Sequence, residues 1–279
     1  MFASNPFADL TAIIPLTIMQ GYIVLMAILV VVGTAADTIH KKSAKYFFEK
    51  TKSAEAARER KLGGGEKMGI AIKTVAEDVL TSAEFCNPKR RIAHLITMYG
   101  FVLFLLTTIA LVFAYPTHEA PAIVSQLWHL GALMVCVGGY WFWFFIRVDV
   151  AAEGNPWYRI VRADLFILTL LGTTTFGLIW AVLQSSGTGV INTVFLALFI
   201  FAATVLFGGV LWSKFAHMFF KPAAAYQKRI MEADGSRENL PKDADRTDPA
   251  VRDSHSMELL KDAPMDMGLG IKRERPQHY

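Results

Sequence analysis

The sequence predicts an all-α integral membrane protein with five transmembrane helices, its N-terminus outside the membrane and its C-terminus in the cytoplasm. Of its 279 residues, 53% are hydrophobic, a share that soluble domains of this length rarely reach. The apolar residues gather in runs of about 20 with few charges, as membrane-spanning helices do. All 28 lysines and arginines lie in segments that this topology places on one side of the membrane.

Five apolar runs are long enough to cross roughly 30 Å of hydrocarbon at about 1.5 Å per residue. They are Ile13–Ala36, Ile92–Tyr115, Ile123–Ile146, Leu165–Leu183 and Val190–Trp212. We do not expect the first run to be a cleaved signal peptide. No positive charge precedes it, and a basic segment that resists translocation follows it at once.

The basic residues fix the expected orientation. They lie between the first and second spans, beside the connection between the third and fourth, and after the fifth. The positive-inside rule places these segments in the cytoplasm. The formal net charge of +4 is then explained by orientation and lipid contact, and we expect no nucleic-acid partner.

The chain divides into four parts. Residues 1–36 form an outer tail and the first span, 37–91 a basic cytoplasmic loop, 92–220 a four-helix transmembrane bundle, and 221–279 a cytoplasmic tail that we expect to be largely disordered. Within the loop, "GGGE" separates two helix-prone stretches. These stretches are expected to lie along the membrane surface or a partner, with a solvated connector as the alternative.

The sequence gives little support to ion pumping, to an iron–sulfur cluster or to phosphate binding by a P-loop. No span carries Asp, Glu, Lys or Arg near its middle, whereas proton pumps and ion-coupled transporters usually bury such groups there. The chain has two cysteines, too few for an iron–sulfur cluster. A phosphate-binding glycine loop is also missing, because "LGGGEK" lacks the remaining P-loop residues.

Two histidines are the main candidates for chemistry. His94, near the start of the second span, and His217, just after the fifth, lie at matched depth by the cytoplasmic boundary. Two such imidazoles on different helices can be the axial ligands of one b-type haem. Arg90, Arg91 and Lys214 stand just outside them and can pair with haem propionates. Alternatively, both histidines are ordinary interfacial residues, since imidazole is amphipathic.

A quinone site is a weaker hypothesis. Tyr99, Trp141 and Asp164 lie near the same boundary and could line a quinone pocket. Trp141 is more typical of an aromatic belt, and Asp164 of a helix boundary. His118 and His129 could form a second, outer ligand pair, although His118 falls in a loop and His129 is expected to bond a neighbouring helix.

Two stretches resemble a known family. "SKFAHMFFKPAAAY" at Ser213–Tyr226 and "RRIAHLITMYGFVLF" at Arg90–Phe104 resemble haem-bearing helices of the cytochrome-b-like subunits grouped with the respiratory nitrate reductase gamma subunit. That group includes the membrane subunits of quinone-interacting membrane-bound oxidoreductase and heterodisulfide reductase. The five-span layout, with a basic first loop and no cluster cysteines, is similar to the membrane anchors associated with adenylylsulfate reductase in sulfur-oxidising bacteria.

The resemblance implies a membrane anchor and electron-transfer subunit of the bacterial inner membrane. It would link cytoplasmic adenylylsulfate reductase, which oxidises sulfite, to the quinone pool. The chain itself would contain no catalytic residues and would at most reduce quinone. Larger members bind two haems. Only the cytoplasmic pair matches here, onto His94 and His217, because the outer positions hold Phe104 and Phe199. The alternative function is a cofactor-free anchor that only recruits the soluble enzyme.

Overall fold

The computed structural model describes residues 3–40, 43–83, 85, 87–116, 120–149, 154–187, 189–237, 240 and 248–250. Within these ranges the chain is helical and contains no strand. Its helices are α1 (Leu16–His40), α2 (Ser43–Ala57), α3 (Gly64–Thr74), α4 (Pro88–Ile109), α5 (Ala122–Trp141), α6 (Leu165–Ser185), α7 (Gly189–Gly208) and α8 (His217–Ala233).

The predicted all-α fold with five membrane-spanning helices is confirmed. Five helical segments are long and apolar enough to cross a membrane: Leu16–His40, Pro88–Ala114, Ala122–Ile146, Arg162–Ser185 and Gly189–Gly208. Many apolar side chains of these segments remain exposed on the outside of the bundle. Since water would not stabilise so much exposed apolar surface, these faces contact lipid.

The spans pack as two antiparallel pairs, α4 with α5 and α6 with α7, which meet where α5 contacts α6. α1 lies at the periphery against α7. One end of the bundle is closed by the N-terminal segment, which we call the N-terminal end. There the Asn5 amide donates to the carbonyl oxygens of Leu111 (3.2 Å) and Tyr115 (2.8 Å), and Gln184 donates to Pro6 O at 2.7 Å.

The opposite end carries α2, α3, α8 and the basic segments, and we call it the basic end. At this end α3 and α8 pack on each other. The boundary expected at residue 220 falls inside α8, because this helix continues to Ala233. Most of the predicted disordered tail, including all of 251–279, lies outside the described residues.

The fifth span ends earlier than the sequence predicts. α7 stops at Gly208, and Val210–Trp212 form a separate 3-10 turn. Gly208 and Gly209 are poor helix formers, and Val210 is fully buried against α1, where a Cβ on Gly33 would lie 2.9 Å from Val210 Cβ. The chain is therefore interrupted before it starts the new helix α8.

The pairing of α4 with α5 depends on glycine. A Cβ added to Gly131 would lie 2.6 Å from the backbone nitrogen of Phe104, and one on Gly100 would lie 2.9 Å from Gly131 O. Without a hydrophobic force between helices in lipid, such close backbone approach is a principal source of packing energy.

Gly131→Ala is expected to destabilise the protein by about 1–3 kcal/mol, because the methyl group must push two backbones apart. Thermal unfolding in detergent, followed by circular dichroism, measures the change. Gly21→Ala is the matched control, since nothing lies within 4 Å of a Cβ there. Equal midpoints for the two variants would contradict the close packing of α4 on α5.

Candidate functional site: a histidine pair at the basic end

His94 is positioned by the start of α4. The Asn87 side chain accepts hydrogen bonds from the backbone nitrogens of Lys89 (3.0 Å) and Arg90 (3.2 Å), and Pro88 occupies the first turn. Both features favour a helix start at this point. His94 therefore lies in the second turn, where the Phe85 ring packs on its imidazole with centroids 4.8 Å apart.

His217 is the first residue of α8, immediately after the interruption that ends the fifth span. Its Nδ1 lies at hydrogen-bond distance from the carbonyl oxygen of Lys214. A carbonyl can only accept, so Nδ1 carries the proton and Nε2 keeps a free lone pair. The Phe166 ring of α6 packs edge-on against the imidazole, with centroids 6.0 Å apart.

The surroundings of His217 favour its neutral form. Protein atoms that displace water around the ring lower its pKa below the ordinary value, although part of the side chain stays accessible. The hydrogen bond to the Lys214 carbonyl acts in the opposite direction, and the charges of Lys214 and Lys221 lower the pKa further. A neutral imidazole is the form that binds a metal.

The structure brings His94 and His217 within electrostatic range of each other, although they are 123 positions apart (217 − 94). Among the described residues, no group of three or more His, Cys, Asp or Glu side chains could hold a metal ion. A haem needs only two axial ligands from the protein, because the porphyrin supplies the other four nitrogens. Two histidines are enough in number for a bis-histidine haem, whereas a metal ion bound by protein ligands alone would need more.

The three cations predicted to flank the pair differ in position. The Arg90 guanidinium lies 5.9 Å from the Phe85 ring centroid and 6.0 Å from that of Phe142, beside His94. Lys214 is exposed one turn before His217. Arg91 instead donates from Nε to Thr81 O at 2.7 Å, which ties the preceding loop to α4. Arg90 and Lys214 are thus the better placed to meet an anionic group.

Two residues of the weaker quinone hypothesis, Tyr99 and Asp164, have hydrogen-bond partners within the chain. The Tyr99 hydroxyl donates to Leu80 O at 2.6 Å, and the Asp164 carboxylate accepts from Arg147 and from the backbone nitrogen of Val161. Trp141 is half-buried at the end of α5. The quinone site stays a prediction, and these hydrogen bonds occupy polar groups of Tyr99 and Asp164 that it would use.

An ion pair beside this region was not predicted from the sequence. Arg147 is fully buried, and its guanidinium donates to Pro156 O, Arg159 O and the Asp164 carboxylate. The guanidinium also lies 4.2 Å from the Trp143 ring centroid, within range of a cation–π interaction. This cluster fixes the connection between α5 and α6. The only signal in the sequence is a lone arginine after an aromatic run.

Phe104 and Phe199, at the positions where the family that the sequence resembles would carry its second histidine pair, belong to an aromatic core at the N-terminal end. Phe104 packs on Trp128 with ring centroids 5.1 Å apart, and Phe199 stacks on Trp180 at 5.7 Å. Both phenylalanines are buried, and the two tryptophans are fully buried. His129 lies nearby, with Nδ1 2.7 Å from Ser125 O, while His118 lies outside the described residues.

α8 is held on the α3 segment by charge. The Arg229 guanidinium pairs with the Asp78 carboxylate at 2.7 Å and with Glu77 at 2.8 Å, and these carboxylates raise the pKa of Arg229 above its ordinary value. Nearby, the Gln227 amide donates to Thr51 Oγ1 of α2 at 2.6 Å. The basic loop and the segment after the fifth span therefore form one layer.

Arg229→Ala is expected to release α8 from this layer and to speed proteolytic cleavage after the helix severalfold. Because the Arg229 side chain is still 21% exposed, the expected cost is limited to about 1–2 kcal/mol. Lys228→Ala is the control, because Lys228 is next to Arg229 in the chain and its own side chain is exposed. Limited trypsin digestion resolved by mass spectrometry is the measurement, and Arg229→Ala cleaved no faster than Lys228→Ala would overturn the role of the ion pair.

No protein-family model, no curated protein and no solved structure matches this chain. The fold and the site themselves define the class: a multi-pass helical membrane protein. It carries a layer of helices at its basic end and a histidine pair where that layer meets the bundle.

Proposed function

We propose that this chain is the membrane anchor and electron-transfer subunit of a bacterial oxidoreductase, with one b-type haem held by His94 and His217. The observation that carries the proposal is that these two imidazoles, one from α4 and one from the separate helix α8, lie close enough to affect each other electrostatically. Each imidazole comes from one of the two stretches that resemble haem-bearing helices, and their electrostatic proximity supports a shared role for the stretches.

The chain's own residues would bind and orient the cofactor. His217 presents Nε2, because its Nδ1 proton is engaged by the Lys214 carbonyl. Phe85 and Phe166 pack on the two imidazoles and restrict their rotation. Arg90 and Lys214 are suited to pair with the propionates. A haem bound here would supply one-electron transfer between a soluble donor and a membrane acceptor.

We further propose cytoplasmic adenylylsulfate reductase as the soluble partner and the quinone pool as the acceptor. The partner rests on the resemblance, and the docking face on charge. By the positive-inside rule the basic end lies in the cytoplasm of the bacterial inner membrane, and a basic surface attracts an acidic one. Binding of the purified reductase to vesicles containing this protein should then weaken as salt rises.

The test of the electron-transfer function is a dithionite-reduced minus oxidised visible spectrum of the purified chain, with a pyridine haemochrome assay. Protein from a haem-sufficient host is expected to show a b-type signal and about one haem per chain. A chain that contains no haem under these conditions would overturn the proposal.

The second candidate is a cofactor-free anchor that only recruits the soluble enzyme. It is favoured by the aromatic core around Phe104 and Phe199, because these side chains fill the positions where the resembled family would carry its second pair of haem ligands. In that case reductase binding to the vesicles persists while the spectrum shows no haem. The two measurements together therefore separate the candidates.

A further inference from the structure

One apolar stripe at the basic end has no protein cover among the described residues. Met68, Ile72 and Val75 follow each other at spacings of four and three, so they share one face of α3 and its continuation. Their exposed fractions are 63%, 63% and 51%. Thr74, on another face of the helix, is buried, consistent with the packing of α3 on α8.

Hydrogen bonds to α4 set the depth of this segment. The Tyr99 hydroxyl donates to Leu80 O at 2.6 Å, and Arg91 Nε donates to Thr81 O at 2.7 Å. Arg91 is the last basic residue before the apolar run of α4, and Tyr99 follows it by about 12 Å of helical rise. A tyrosine side chain leans back toward the start of its helix. Leu80 is therefore held a little inside the membrane boundary.

The stripe is continuous with a lipid-facing surface. α4 exposes one row of apolar side chains next to the Tyr99–Leu80 contact, and Leu80 itself is 48% exposed. The row consists of Ile92, Tyr99, Val102 and Leu106. Because spacings of seven, three and four keep these residues on one face, the exposed surface of α3 runs into the surface of a spanning helix.

Charge on α3 matches a bilayer with anionic lipids. Lys61, Lys67 and Lys73 are exposed along the helix and before it, and Lys89 is exposed at the start of α4. Each basic residue held near an anionic surface contributes about 1 kcal/mol of attraction. Helices with one apolar face and lysines on their flanks lie in the interface, with the apolar side about 5–10 Å inside it.

We propose that Gly64–Leu80 is an interfacial helix whose Met68–Ile72–Val75 stripe inserts into the bilayer, while its lysines contact anionic lipid headgroups. The segment that follows this helix places the Phe85 ring against His94. Lipid contact of the helix would therefore also help to hold Phe85 in place beside His94. The inference rests on α3 and α4 and does not depend on whether a haem is bound.

Site-directed spin labelling of the full chain in lipid nanodiscs tests the proposal. Cys86 and Cys136 are first replaced by serine, and single cysteines are then introduced as Ile72→Cys and Lys73→Cys. The matched pair differs by one position and therefore by the face of the helix. Power saturation compares the exposure of each nitroxide to oxygen, which dissolves in lipid, and to a water-soluble nickel chelate.

The oxygen-to-nickel accessibility ratio is expected to be severalfold higher at position 72 than at 73 in nanodiscs that contain phosphatidylglycerol. Met68→Cys should behave as Ile72→Cys does, which guards against a local effect of one substitution. Equal ratios at 72 and 73 would show that the stripe faces water or a protein and would overturn the insertion. A ratio at 72 that is unchanged in pure phosphatidylcholine would overturn the role of anionic headgroups.

Discussion

His94→Ala and His217→Ala are each expected to abolish haem binding, lowering the haemochrome yield from about one per chain to background. Alanine offers no lone pair to iron, and a single remaining imidazole leaves the other axial position open. His40→Ala is the matched control, because this histidine is exposed at the end of α1 and lies outside the pair. It should keep the full haem content.

A conservative change separates ligation from packing. His217→Met is expected to retain part of the haem, since methionine can serve as an axial ligand, and to raise its midpoint potential. A merely structural role of His217 would not shift the potential. Haem retained at full yield in both alanine variants would show that the ligands lie elsewhere.

Arg147→Ala is expected to cost about 3–5 kcal/mol, enough to lower the yield of folded protein sharply. The change leaves the Asp164 carboxylate, whose side chain is 13% exposed, without its counter-ion. It also removes the donors to Pro156 O and Arg159 O. Thermal unfolding and the monodisperse fraction in detergent are the measurements.

Two further variants define the origin of that loss. Arg159→Ala removes an exposed side chain and keeps the carbonyl that accepts from Arg147, so its stability should stay within about 0.5 kcal/mol of the parent. Arg147→Met combined with Asp164→Leu removes both charges and should lose much less stability than Arg147→Ala. An equally unstable double variant would indicate that packing around Trp143, and not the unpaired charge, causes the loss.

The five spans could be predicted because the hydrocarbon core of a membrane requires nearly the same apolar composition in every segment that crosses it. Each crossing segment must be apolar along its whole length, and that demand is visible in any single stretch such as Leu165–Leu183. The end of the fifth span was harder. Its residues remain apolar through Trp212, and the helix stops at Gly208 because Val210 packs against Gly33 on a distant part of the chain.

For the candidate site, the sequence predicts only the matched depth of His94 and His217, because depth along a span is a local property. Interactions between segments far apart in the chain could not be predicted. The sequence around residues such as Arg147, Asp78 and Arg229 does not indicate which distant residue each of them pairs with. These contacts order the loop, α8 and the α5–α6 connection around the pair.

The aromatic core at the N-terminal end has a bioenergetic consequence. With Phe104 and Phe199 in place of outer ligands, the proposed electron path has one cofactor position, and that position lies at the same end as the proposed docking face. Electrons would enter and leave on one side, and no charge would cross the dielectric. Moving an elementary charge across the membrane costs or yields about 2.3 kcal/mol per 100 mV. A one-sided path moves no charge across the membrane, so its driving force does not include this energy. Electron transfer should therefore proceed at the same rate in energised and de-energised membranes.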